Sequence, residues 1–168
     1  EVGSHGVQSV QRVGCTVQLT SAQPYPDGTF DIEVVGRSRL RLDGLDTSGD
    51  YLVGDVETLD EPRETRRAIA REAARALETF EEYRRRLSQL RGDDVLVGAL
   101  PRDPEYLSYL LAANSLLTLR ERQQLLEAED AATRLDLLTV ALRSEIRAIR
   151  AIPSLPATEL ARTRWSPN

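Results

Sequence analysis

The run from Phe30 to Leu42, FDIEVVGRSRLRL, constrains this chain more than any other stretch. Its even positions carry Phe30, Ile32, Val34, Leu40 and Leu42, and its odd positions carry Asp31, Glu33, Val35, Arg37, Arg39 and Arg41. Alternation at period two predicts a strand with one apolar and one wet face. Thirteen residues at ~3.3 Å each give about 40 Å, roughly twice the usual strand. Such a strand must coil, and Gly36 is the expected bend. The parity holds across Gly36, so no inserted residue is expected there. That places Arg37, Arg39 and Arg41 on one wet face with Asp31 and Glu33, a local balance of +1.

The flanking segments extend the β pattern. Arg12 to Leu19 alternates, and Pro24-Tyr-Pro-Asp-Gly28 is a turn signal with Asp-Gly at its end. Asp43 to Asp50 is a polar loop, and Tyr51 to Thr58 reads as a further strand. Cys15 alternates with Val13, Val17 and Leu19 and is expected to be a small buried hydrophobe; Phe30 is expected in the core. Three strands cannot close a barrel and leave edges and an apolar face uncovered. The chain starts at Glu1 and holds no methionine, which reads as a fragment or a processed piece. Strands from a preceding segment, or from a second copy by strand exchange, would complete the barrel.

From Glu61 the period changes. Ile69, Ala73, Ala76, Phe80, Tyr83, Leu87 and Leu90 recur at steps of four and three until Gly92. This seam is expected to pack on the helices that follow, the alternative being a homodimer through the Ile69–Leu90 seam. Arg63, Arg67, Arg71 and Arg75 form a second row at steps of four, read as a solvated face. Asp103 with Pro104 predicts a helix start, and Thr118-Leu-Arg-Glu121 a capping box for a short helix ending near Glu127. Asp130 caps a longer helix whose stripe is Leu135, Leu138, Leu142, Ile146 and Ile149, widened by Ala131, Leu137 and Ala141. The reading is α+β: residues 1–60 a β part, 61–152 a helical bundle, and 153–168 a Pro-containing tail with Trp165.

Composition excludes several chemistries. The chain has no lysine, so it can form neither a Walker A phosphate loop nor a Ser–Lys dyad. One histidine, His5, in a glycine-flanked loop, and one cysteine give no zinc cluster. No cofactor or metal is expected. No apolar run approaches the ~18 residues that span a bilayer. Residues 1–60 hold four arginines against ten acids, a balance of −6, which argues against nucleic acid. Residues 61–168 hold eighteen arginines against seventeen acids.

Ordered along the chain, several segments carry a family resemblance. They are Val13-Gly14-Cys15-Thr16-Val17, the Pro26-Asp27-Gly28 turn, Val34-Val35-Gly36 running into Arg37–Leu42, and Tyr51-Leu52-Val53-Gly54-Asp55-Val56. In the second half they are Leu119-Arg-Glu-Arg-Gln-Gln-Leu-Leu-Glu127 and Arg134-Leu135-Asp136-Leu137-Leu138. Over roughly residues 7–150 the chain resembles the N-terminal substrate-binding domain of Lon-type ATP-dependent proteases, and more closely the stand-alone bacterial proteins of that kind. The resemblance implies a PUA-like pseudo-barrel, incomplete here, followed by a helical bundle. The family's opening Pro-Leu-Phe-Pro-Leu-like segment has no counterpart, which implies an N-terminal truncation. The resemblance further implies a non-catalytic, cytoplasmic recognition module for unfolded or partner polypeptides. The alternative is a PUA-like nucleic-acid binder, which the acidic β part disfavours. Partner-binding candidates are Tyr25, Tyr51, Arg37, Arg39, Arg41 and Trp165.

Overall fold

The computed structural model describes residues 2–3, 6–7, 10–62, 66–91 and 100–151. The chain divides into two units, Glu1–Asp60 and Glu61–Asn168. His5 and Trp165 lie outside the described residues, as do Arg63 and the tail that carries Trp165.

The first unit is β. A two-residue pair, β1 (Val2–Gly3) and β2 (Gly6–Val7), is antiparallel. Then β3 (Val13–Pro24), β4 (Phe30–Asp46) and β5 (Val53–Thr58) form an antiparallel sheet in the order β3-β4-β5. The β3–β4 turn is built as its residues dictate. Asp27 Oδ1 accepts from the Thr29 amide at 3.0 Å and the Thr29 hydroxyl at 2.7 Å, which holds the Asp27 carboxyl below its ordinary pKa. Gly28 follows at φ +85°, a conformation only glycine adopts without strain.

The register corrects the parity argument at Gly36. Val17 pairs with Gly36 and Cys15 with Arg39, so two residues of β4, Arg37 and Ser38, stand opposite Thr16 alone. This is a β-bulge, and it shifts the phase of the strand. The Thr16 hydroxyl fills the gap, accepting from the Ser38 amide at 3.1 Å and donating to the Ser38 carbonyl at 3.3 Å. A second bulge puts the extra residue in β3 at Thr20, whose hydroxyl donates to the Glu33 carbonyl at 3.0 Å. A third, at Asp43, separates Leu42↔Val56 from Gly44↔Asp55.

The second unit is helical: α1 (Arg66–Arg91), α2 (Pro104–Ala113), α3 (Leu119–Glu127) and α4 (Ala131–Ala151). Its caps follow local chemistry. Asp103 accepts from the amides of Glu105 and Tyr106, and Thr118 with Glu121 forms the reciprocal capping box. Asp130 Oδ1 accepts from the Thr133 amide at 2.7 Å. The α1 seam meets α4 of the same chain. Ile69, Ala76, Phe80, Tyr83 and Leu87 are buried with Leu135, Leu138, Leu142 and Ile146 in one core. The expected packing of this seam on the helices that follow is what these residues show. The Tyr83 hydroxyl accepts from the Leu116 amide at 3.0 Å, tying α1 to the α2–α3 connection. The arginine row on α1 is not purely solvated, since Arg75 forms an ion pair with Asp136 of α4. Leu137, expected to widen the α4 stripe, is exposed.

Candidate functional site

Cross-strand partners share a face of the sheet, which fixes where each β side chain points. Ala22↔Ile32, Pro24↔Phe30, Leu19↔Val34 and Val17↔Gly36 lie on one face. That face carries Val17, Leu19, Phe30, Ile32 and Val34, each 45% exposed or more. The opposite face takes Gln18↔Val35, Ser21↔Glu33 and Gln23↔Asp31. The β3–β4 hairpin thus presents a contiguous apolar strip to solvent and a polar reverse side. Phe30, expected in the core, is 61% exposed, and Cys15, expected to be buried, is exposed. Both differences have one cause: within the β unit no second layer lies on the hairpin end of this face. In the sheet order β3-β4-β5, β3 is an edge strand.

The three arginines do not form one strip. Odd positions of β3 share a face from Val13 to Leu19, before the Thr20 bulge, so Arg39 and Arg41, opposite Cys15 and Val13, fall on the side of Val17. Arg37 precedes the phase shift and lies on the other side, donating from Nε to Gln18 at 3.0 Å. Arg39 is buried, at 7% exposure, where a wet-face residue was expected. Arg41 is paired, with Nε 3.0 Å from Asp43 and a second nitrogen on Glu57. These carboxylates raise the Arg41 pKa, the Asp43 hydrogen bond first. The bulge after Gly36, which alternation alone does not reveal, separates the set.

Tyr25 and Tyr51 are exposed but lie at opposite ends of β4, and the structure does not bring them together. Tyr25 donates its hydroxyl to Asp31, which raises the phenol pKa through that hydrogen bond. Tyr51 stands in the β4–β5 connection, 77% exposed.

The helical unit holds a polar node that the sequence reading did not single out. Arg134 is fully buried. Its Nε donates to the Leu125 carbonyl at 3.1 Å, Nη1 to Ser108 Oγ at 3.0 Å, and Nη2 to the Glu61 carboxylate. Its guanidinium stacks 4.1 Å above the Tyr109 ring, and the Tyr109 hydroxyl donates to the same Glu61 oxygen at 2.8 Å. A buried ion costs several kcal/mol in desolvation unless its charge and donors are answered, and here each nitrogen is answered. The signal was available: Arg134 stands in the apolar row of α4, four residues before Leu138. Beside the node is a hollow of about 180 Å³. Ala112 and Ala113 of α2 and Arg122, Leu125 and Leu126 of α3 form its walls. Tyr109 and Arg134 form its remaining lining.

Among the described residues no group of histidine, cysteine and carboxylate side chains could hold a metal, and no helix is long and apolar enough to cross a membrane.

Comparison with known proteins places this geometry. The family model described as the ATP-dependent protease La (LON) substrate-binding domain matches residues 1–144. The chain is 30% identical over 142 residues to Lon protease of Escherichia coli K12, covering 84% of this chain and 18% of that protein. It is 32% identical over 142 residues to Lon protease of Desulfovibrio desulfuricans, covering 84% and 16%. It is 32% identical over 138 residues to Lon protease 1 of Thermus thermophilus, covering 80% and 17%. The chain therefore spans less than a fifth of the length of these relatives, and the matched family is the substrate-binding domain, not an ATPase or peptidase domain. The N-terminal domain of the Mycobacterium avium complex Lon protease has the same fold. Its TM-score is 0.61 at 20% identity, covering 82% of this chain and 73% of that one. With the α+β order, the family match over most of the chain and the fold in agreement, the chain belongs to the LON substrate-binding domain family.

Proposed function

We propose that this chain is a non-catalytic recognition module that binds unfolded or partner polypeptides through the apolar strip of the β3–β4 hairpin. The observation that carries this reading is the exposure of Val17, Leu19, Phe30, Ile32 and Val34 on one face. Contiguous exposed apolar surface is the feature that takes up apolar segments of other chains. The position of β3 at the edge of the sheet adds a second handle, since an extended peptide can pair with an edge strand. Membership of a substrate-binding family supports the same role. The absence of lysine removes the Ser–Lys and Walker A chemistries from the chain itself. A cytoplasmic setting in a bacterium belongs to this reading. Nucleic acid gains no support, because Arg41 is answered by carboxylates and Arg39 is buried.

The test is titration of the full chain with a permanently unfolded, labelled protein. Binding in the micromolar range is expected, and Ile32→Asp or Phe30→Ser should weaken it about tenfold or more. The basis is the transfer energy of a buried Ile or Phe side chain, about 1.5–3 kcal/mol. Absence of binding at high micromolar concentration, or binding indifferent to both substitutions, would overturn the proposal.

A further inference from the structure

The hollow beside Arg134 has properties that the sheet does not share. Its volume of about 180 Å³ is below the ~300 Å³ at which small-molecule sites usually begin, so it suits one side chain better than a cofactor. Two small residues, Ala112 and Ala113, line it from α2, and Leu125 and Leu126 line it from α3. The Arg134 charge is spent on Glu61, so that side of the hollow accepts an apolar group without leaving an ion unanswered. Arg122 differs: it is exposed, lines the hollow, and its guanidinium forms no ion pair among the described residues.

We propose that this hollow docks a single apolar side chain of a polypeptide that carries a carboxylate next to it. The apolar group fills the space against Leu125 and Leu126, and the carboxylate meets Arg122. An exposed Arg–carboxylate pair contributes little affinity but distinguishes the sign of the neighbouring residue. The inference rests on the reading of the chain as a polypeptide-recognition module and gives that module a second, sequence-selective contact, in the helical unit.

Methyl NMR signals of Leu125 and Leu126 in the full chain provide the readout. Two short capped peptides serve as probes, one with a central Leu-Glu pair and one with Leu-Arg. The Leu-Glu peptide should shift both signals and bind about two- to fivefold more tightly than its twin. Arg122→Glu, an exposed substitution, should reverse that preference, and Ala113→Phe should abolish binding of both. Unmoved Leu125 and Leu126 signals at millimolar peptide, or a preference unchanged by Arg122→Glu, would overturn the inference. If the signals stay unmoved while unfolded protein still binds in an Ile32-dependent manner, the hollow is refuted and the recognition role stands. If the peptides bind as expected while unfolded protein does not bind, the sheet reading falls instead.

Discussion

The two units use apolar residues in opposite ways. In the helical unit Leu111, Leu135, Leu138 and Leu142 are completely buried and Phe80 and Tyr83 nearly so. In the β unit Phe30, Ile32 and Val34 follow an equally regular pattern and remain open. The difference is geometric. Four helices can surround one axis and close a core among themselves. A three-stranded sheet has two faces, and an apolar face is buried only when another layer lies on it. A regular apolar pattern therefore predicts a face and leaves open whether the face is covered.

Experiments that attack the best-buried groups should separate the units most strongly. Arg134→Ala leaves the Glu61 carboxylate, 9% exposed, without this cation, and a loss of about 3–5 kcal/mol in urea unfolding of the helical signal is expected. Leu138→Ala should cost about 2–5 kcal/mol, because it opens a cavity in a packed core. Ile32→Ala, with 59% of the residue already in water, should stay within about 0.5 kcal/mol in the same assay. A large loss at Ile32 would break the comparison by showing that the strip is buried in solution. Thr118→Ala removes half of the capping box and should cost about 1 kcal/mol, visible as fraying of α3 in amide exchange.

The smallest effect concerns pH. Burial raises the pKa of half-buried Glu145, and the negative charge of Glu121 adds to the rise. The fold therefore disfavours the ionised carboxylate, and this unfavourable contribution is present in full above the raised pKa. As pH falls through that value the proton is taken up and the contribution disappears. Glu145→Gln should raise the melting temperature at pH 7, and the gain should shrink as the pH is lowered towards the acid range. A gain independent of pH would show that packing, not charge, limits this site.

What could be read from sequence is uneven for a physical reason. The start of α3 at Thr118 and the starts of α2 and α4 at Asp103 and Asp130 follow from side chains within three residues of the amides they cap. The start of β4 at Phe30 was legible from alternation, but the strand runs on to Asp46, into the stretch expected as a polar loop, because Gly44 to Asp46 pair with β5; the core stripe of α4 was legible from its 3.6 period. The candidate strip was half legible: its members were named, but Phe30 was assigned to a core. The arginine set was misread because the bulge at Arg37–Ser38 depends on β3 standing opposite.

The chain by itself determined helix caps, the α1 seam, the β3–β4 turn at Gly28 and the absence of lysine-dependent chemistry, since each depends on residues close in sequence or on composition. Only the tertiary structure decided which apolar faces found a covering layer, how the bulges divided Arg37 from Arg39 and Arg41, and that Arg134 would meet Glu61. Those two residues are 73 positions apart, and no local pattern specifies a pairing across that distance; the tertiary packing of the helical unit does.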